Sequence, residues 1–337
     1  MVTGRASDTP RKGAGAVREE GASLDCPACG GRSFAPLFSM WEHRYEECRE
    51  CGFQRMADPP SPVELDGFYS ESRQHAFDAY QEHEKNLKRF HKILERLERS
   101  VRPGRILDVG CSMGTSLVAA SERGWEAVGT ELCVPAAEYG REELGLDIRV
   151  TSLEEGAFVQ EGLEEESFDA VLMHHTFEHL RHPDRVAGIV HRLLRPGAVF
   201  YTAQPNHACL KARLFGACWS YGVTPEHLNL FSPRSLKLLL ARQGFKVLGY
   251  QTWSDRRDPR LIYDLMRRLG REDTLRRWCG IEGESFDDKA QEAYVAFLTK
   301  RRLPYFVSNF LWPARLVGAL RLGQDLHMHA RKLGGNG

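Results

Sequence analysis

Five short apolar runs, 105–111 (RILDVGC), 126–132 (EAVGTEL), 147–152 (DIRVTS), 168–174 (FDAVLMH) and 198–204 (AVFYTAQ), mark the middle of the chain, with helical patterning after the first, second and fourth. Strands joined by helices must run parallel, because a crossover of that length returns the chain to the same end of the sheet, and such crossovers are right-handed. A doubly wound α/β sheet is therefore expected. The segment HPDRVAGIVHRLLRPG supports it, opening with Pro183 and Asp184 in a first helical turn and closing on Pro196-Gly197. In such sheets ligands bind beyond the carboxyl ends of the strands.

The first of those ends reads LDVGCSMG. Gly110 and Gly114 let the backbone come close to a ligand, and the second strand ends on an acid, Glu131, placed to accept hydrogen bonds from a ribose diol. An acid, Asp108, precedes the loop, and the tight Gly-x-Gly of a dinucleotide site is missing because Ser112 stands at its second position. Asp108 would repel a phosphate. A cationic or zwitterionic adenosine ligand suits the loop better.

Cys26-Pro-Ala-Cys29 and Cys48-Arg-Glu-Cys51 form two C-x-x-C pairs at zinc-ribbon spacing, each followed by glycine. A module of residues 23–60 is too small to fold on apolar burial alone, so a structural Zn2+ on the four thiolates is expected. Pro59, Pro60 and Pro62 end it. A helical connector follows over 61–103, in which Phe77, Tyr80, Leu87, Phe90, Leu94 and Leu97 recur at helical intervals and are read as core contacts.

On these motifs, residues 104–255 resemble a class I S-adenosylmethionine (SAM)-dependent methyltransferase. The stretch SFDAVLMHHTFEHLRHPDRVAGIVHRLLRPGAVFYTAQPN is similar to the family's region between its fourth and fifth strands. EHLNLFSPRSLKLLLARQGFKVLGY resembles the branch containing ubiquinone-pathway O-methyltransferases and sugar methyltransferases, and a ribbon ahead of the domain resembles sugar C-methyltransferases. The resemblance implies a Rossmann-like seven-stranded sheet of order 3-2-1-4-5-7-6 with the last strand antiparallel, that strand falling in GQDLHMHARK, residues 323–332. It implies SAM as cofactor, with Asp108 facing the methionyl ammonium, Gly110, Cys111 and Gly114 giving backbone contact, Glu131 holding the ribose, Ser152 and Leu153 beside the adenine, and His174 at the methionine end.

Methyl transfer from a sulfonium needs alignment and removal of a proton. His227 is the candidate base and Glu226 its orienter, on the likeness to the Glu-His pair of sugar C-methyltransferases; the competing reading has His227 pinning its loop. His175, Glu178 and His179 share one face if their segment is helical, and some relatives use such a group with a downstream histidine to hold a divalent cation. Those three with His227 would take zinc or iron more readily than magnesium. The alternative is a structural Glu178–His179 hydrogen-bonding pair.

The rest of the chain narrows partners more than it identifies them. Lysine plus arginine and aspartate plus glutamate balance at 46 each in 337 residues, and residues 24–60 carry no basic excess, which speaks against nucleic acid; the small-molecule acceptor is what the family resemblance implies. Residues 1–22 lack an apolar export core and read as a disordered tail, and nine cysteines without an export signal suit the cytoplasm. Residues 256–320 read as a helical insert, a lid over the acceptor in preference to a dimer surface or an interfacial membrane anchor, the competing reading being a helix packed on the sheet; 321–337 hold the final strand and a tail. The expected activity is methyl transfer to oxygen or carbon of a nucleotide sugar, polysaccharide precursor or secondary metabolite, the alternatives being a zinc-ribbon RNA methyltransferase and a non-catalytic SAM-binding module.

Overall fold

The computed structural model of the chain describes residues 25–40, 43–61, 83–154, 162–254, 260–271, 274, 277 and 314–334. The expected tail over 1–22, Phe77 and Tyr80, and most of the 256–320 insert lie outside them. The described chain begins with strands β1 (Phe34–Met40), β2 (His43–Cys48) and β3 (Gln54–Met56), followed by helix α1 (His83–Leu97). The α/β part then runs β4 (Arg105–Val109), α2 (Thr115–Ser121), β5 (Glu126–Glu131), α3 (Val134–Glu142), β6 (Asp147–Val150), β7 (Phe168–His174), α4 (Pro183–Leu193) and β8 (Leu194–Pro205). It closes with α5 (Leu210–Phe215), β9 (Asn229–Leu230), α6 (Pro233–Arg242), β10 (Phe245–Trp253), α7 (Arg260–Arg268), α8 (Ala314–Ala319) and β11 (Asp325–Lys332).

The large sheet has the order β10-β11-β8-β7-β4-β5-β6, which is the expected 3-2-1-4-5-7-6 seen from its other edge. β11 runs antiparallel to both neighbours, whereas β4, β5, β6, β7 and β8 pair in parallel. Helix α4 stops three residues before Pro196, because Leu194 is already extended and pairs with Phe168 at the start of the sheet. Sheet pairing overrode the Pro-Gly stop signal. One face buries Ile106, Ala170, Leu172, Val199 and Tyr201 under α1 and α2; the other carries Leu107, Val171, Met173 and Phe200 with α4 and α6.

The ribbon strands are not a detached bead. β3 pairs with β9, so the second sheet, β1-β2-β3-β9, takes its fourth strand from the α/β part. Phe53 of the ribbon meets Phe231 (5.2 Å between centroids), Phe231 meets Phe177 (5.4 Å), Phe177 meets Phe200 (6.2 Å) and Phe200 meets Phe245 (5.5 Å). All five rings are buried. Truncating Phe231 to alanine opens a cavity in the middle of that row and is expected to cost about 3–5 kcal/mol in a denaturant titration. The ribbon and the large sheet should then unfold in one transition, because they share this core.

Among the described residues, no helix is long and apolar enough to cross a membrane.

Candidate functional site

The turn after β4 has the close approach its glycines suggest. Gly110 sits at φ +76°, and a Cβ there would lie 2.5 Å from Thr176 Oγ1; Gly114 sits at φ +88°, where a Cβ would meet Leu146 at 2.4 Å. Ser112 also adopts a left-handed φ of +53°, a conformation a serine takes only at some strain, and glycine would take it freely. Asp108, at 2% exposure, is buried beneath this turn. Its Oδ2 accepts from the Ser116 hydroxyl, while Oδ1 has no hydrogen-bond partner. Burial and the neighbouring Glu131 push its carboxyl up to about 7 against the pull of Ser116. A buried carboxylate oxygen with nothing to bind is a place for a cationic group.

Glu131 Oε2 accepts from the Ser112 amide at 2.7 Å and Oε1 from the Cys133 amide at 2.8 Å. Two backbone donors thus aim the carboxylate, and each oxygen keeps a second lone pair. The Cys111 thiol is buried beside Gly129, and burial holds it protonated, which suits a small wall residue. Ser152 caps the next turn through the Glu154 amide, and Leu153 is buried in the core cluster. His83 at the start of α1 reaches Thr115 Oγ1 at 3.0 Å, so α1 lies along the mouth of this cradle.

A second group forms beyond β7. His175 adopts φ +56° and its amide donates to Ala203 O, which swings the chain into the short 3-10 turn Phe177–His179. His227 lies 48 residues beyond His179 in sequence, yet its ring is 4.9 Å from that of His179. His227 Nδ1 donates to Gly222 O at 3.0 Å, and His179 Nδ1 donates to Glu226 O at 2.9 Å. Both Nδ1 atoms therefore carry a proton, so in the neutral form of either ring Nε2 is the nitrogen that keeps the lone pair. The side chain of Glu226 does not hold the His227 ring; the Gly222 carbonyl does.

Glu178 is fully buried between these rings. Its Oε1 accepts from His175 Nδ1 at 3.1 Å, and its Oε2 has no partner. Burial alone would raise its carboxyl, but the hydrogen bond from His175 and the imidazoles around it outweigh burial and take it down to about 2. Of the four residues expected to converge on a cation, Glu178, His179 and His227 offer ligand atoms within 4.8 Å of one another. His175 stands apart, turned to Glu178 and, 3.7 Å from its Nε2, to Asp325. Two imidazole nitrogens and one carboxylate oxygen suit zinc or iron(II).

Several members of this edge were not foreseen. Thr176 donates to Val109 O across from Gly110, and Ser116 anchors Asp108. Tyr221 donates to Asp325, the first residue of β11, which only the pairing of β11 with β8 brings beside His175. His174 packs its ring on Phe90 at 5.1 Å and on His175 at 4.6 Å, and burial holds it neutral. Only the helical spacing of Phe90 hinted that α1 would reach here.

The four ribbon cysteines do converge. Cys26 Sγ to Cys51 Sγ and Cys29 Sγ to Cys48 Sγ are both 3.6 Å, and all four sulfurs lie within 4.8 Å of one another. A tetrahedral four-thiolate zinc centre with bonds of about 2.3 Å requires sulfurs about 3.8 Å apart. The Gly31 amide already points at Cys29 Sγ at 3.4 Å, as expected for a thiolate acceptor. The set fits a closed structural site. Purified protein is expected to carry about one zinc per chain at these thiolates, and Cys51→Ser should lose it together with most of its stability, as read by elemental analysis and thermal melting.

A family profile described as a methyltransferase domain matches residues 79–249, about half of the chain. A ubiquinone biosynthesis O-methyltransferase of Brucella anthropi is 27% identical over 180 residues, covering 47% of this chain and 70% of that protein. Its counterpart in Hahella chejuensis is 34% identical over 115 residues, covering 32% of this chain and 47% of that protein. A SAM-dependent methyltransferase from Archaeoglobus fulgidus superimposes with a TM-score of 0.48 at 16% identity, covering 76% of this chain and 99% of that structure.

Proposed function

Because the chain belongs to the methyltransferase domain family, in which it is a SAM-dependent enzyme, we propose that it methylates a small-molecule acceptor, at oxygen in preference to carbon. The observation that carries this reading is the pairing of two features on one sheet edge. One is a buried Asp108 oxygen without a partner in a glycine cradle; the other is a pair of imidazoles, His179 and His227, each with Nδ1 tied to a backbone carbonyl so that Nε2 is the nitrogen available to take a proton. SAM in that cradle supplies an electrophilic methyl on a sulfonium. Asp108 Oδ1 would answer the ammonium of the donor, the backbone at Gly110, Cys111 and Gly114 would lie against it, and Glu131 would receive the ribose hydroxyls. Ser152 would border the adenine and His174 would wall the methionine end, while Leu153, buried in the core, would back the adenine side without touching it. His227 Nε2 would take the proton of an acceptor hydroxyl as its oxygen bonds the methyl and the methyl–sulfur bond breaks, the sulfur leaving as the neutral thioether S-adenosylhomocysteine.

A second reading is favoured by the unpartnered Glu178 Oε2 and its place beside His179 and His227. Those three would hold a divalent cation that makes a bound hydroxyl more acidic, with His227 then a ligand and not the base. Preference for oxygen rests on the two curated relatives, both O-methyltransferases by name. None of the eight described cysteines is in a disulfide, which suits the reducing cytoplasm in which we place the enzyme, and the four of the ribbon would hold a structural zinc.

The test is transfer of labelled methyl from SAM to a panel of phenols, catechols, nucleotide sugars and transfer or ribosomal RNA, with the product position read by NMR. A labelled small-molecule ether supports the proposal. Label on RNA alone, or no binding of S-adenosylhomocysteine by calorimetry, overturns it.

A further inference from the structure

The segment that carries His227 has little regular structure of its own, for it is a loop running into the two-residue strand β9. A loop of this kind does not place an imidazole without help from its surroundings. The help comes from two sides. On the inner side, Glu226 O accepts from His179 Nδ1 and the Asn229 side-chain amide donates to Leu180 O. On the outer side the contacts come from the ribbon. The Tyr45 hydroxyl donates to Thr224 O at 3.3 Å, the Met56 amide donates to Leu228 O at 2.9 Å, and β3 pairs Gln54 with Leu230 and Arg55 with Asn229.

Those contacts bracket His227. Thr224 O lies three residues before it and Leu228 O one residue after, so the ribbon holds the backbone on both sides of the imidazole while Gly222 O fixes the ring. Tyr45 is itself immobilised, 1% exposed, stacked on Phe38 with 4.8 Å between centroids and packed in one cluster with Met56, Trp219, Val223, Leu228 and Leu230. In the donor cradle, Asp108 and Glu131 take their hydrogen bonds from Ser116, Ser112 and Cys133, all of them outside the ribbon.

We infer that the four-cysteine ribbon is a positioning element of the acceptor end of the site, with Tyr45 as its positioning residue, and that it acts on the placement of His227 without acting on the donor cradle. This deepens the proposed function and rests on it for the meaning of His227, though the contacts stand apart from it. The four-thiolate cluster then has a purpose beyond folding a small module. It stiffens the hairpin whose far ends hold the loop.

Tyr45→Phe removes the hydroxyl and keeps the ring. In the zinc-loaded full chain, loss of one hydrogen bond should raise hydrogen exchange of the 224–230 amides roughly fivefold. The His227 Cε1–H resonance should move with it, and affinity for S-adenosylhomocysteine should stay within about twofold, as expected for distant sites. Arg234→Ala is the matched control, since it removes a different contact to the ribbon, at Glu50 O, on the far side of β9; it should change none of these. The inference falls if Tyr45→Phe leaves the His227 resonance and the 224–230 exchange at wild-type values. It falls equally if both variants loosen 224–230 alike, which would make the ribbon a general prop. Neither readout uses methyl transfer. Failure of wild-type protein to bind S-adenosylhomocysteine would sink the proposed function and leave this inference standing.

Discussion

Asp108→Asn is expected to weaken binding of S-adenosylhomocysteine roughly 100-fold, about 2.7 kcal/mol, because a buried hydrogen bond between charged groups is exchanged for a neutral one. The same substitution should make the ligand-free protein more stable. Burial has raised this carboxyl from 3.8 to about 7, so its ionised form is disfavoured in the fold. The sign follows from linkage. An acid whose folded value lies above its unfolded one destabilises the fold progressively as pH rises from about 4 to about 7, and fully above that. The gain from Asp108→Asn should therefore be absent near pH 4 and approach an upper bound of about 4 kcal/mol at pH 8. Asparagine can still accept from Ser116, so the local packing is retained. Thermal melts across that pH range, with calorimetry at pH 8, check both halves. A variant that binds the donor analogue as tightly as wild type would remove Asp108 from the cradle's chemistry, whatever happened to stability.

His227→Phe keeps an aromatic ring at a site only 8% exposed and removes both nitrogens. Loss of a general base typically lowers turnover about 10²- to 10⁴-fold, and a loss of that order is expected once a methyl acceptor is in hand, with donor affinity unchanged. Metal content separates the two readings of this residue. If His227 is the base, wild type and variant each carry the ribbon zinc alone. If Glu178, His179 and His227 hold a cation, wild type carries a second metal ion and the variant loses it. Unaltered turnover in His227→Phe would exclude both roles.

Much of the donor edge could be read from local spacing. Asp108, Gly110 and Gly114 lie within seven residues of one another, and the strand that delivers Glu131 is the next one along, so one βαβ unit sets their geometry whatever surrounds it. The cysteine pairs are equally local. The acceptor end is different. His227 approaches His179 because β9 pairs with a ribbon strand more than 170 residues earlier, and Asp325 approaches His175 because an antiparallel final strand slots between β8 and β10. No periodicity within a window of about a dozen residues encodes contacts at those separations. His175 illustrates the limit: helical spacing would put it on one face with Glu178 and His179, but the chain has a left-handed φ there and the ring bonds Glu178 without joining the three-ligand group.

What the chain's one-dimensional pattern determined was the parallel α/β sheet, the glycine cradle and the four thiolates, since each depends on interactions between residues close along the chain; the strand order, set by long-range pairing, came through family likeness. What the tertiary structure alone decided was the fusion of ribbon and sheet into one core, the unpartnered Asp108 and Glu178 oxygens, and the clamp on His227. Those are properties of burial and of long-range pairing, and they exist only once distant segments exclude water from the same place.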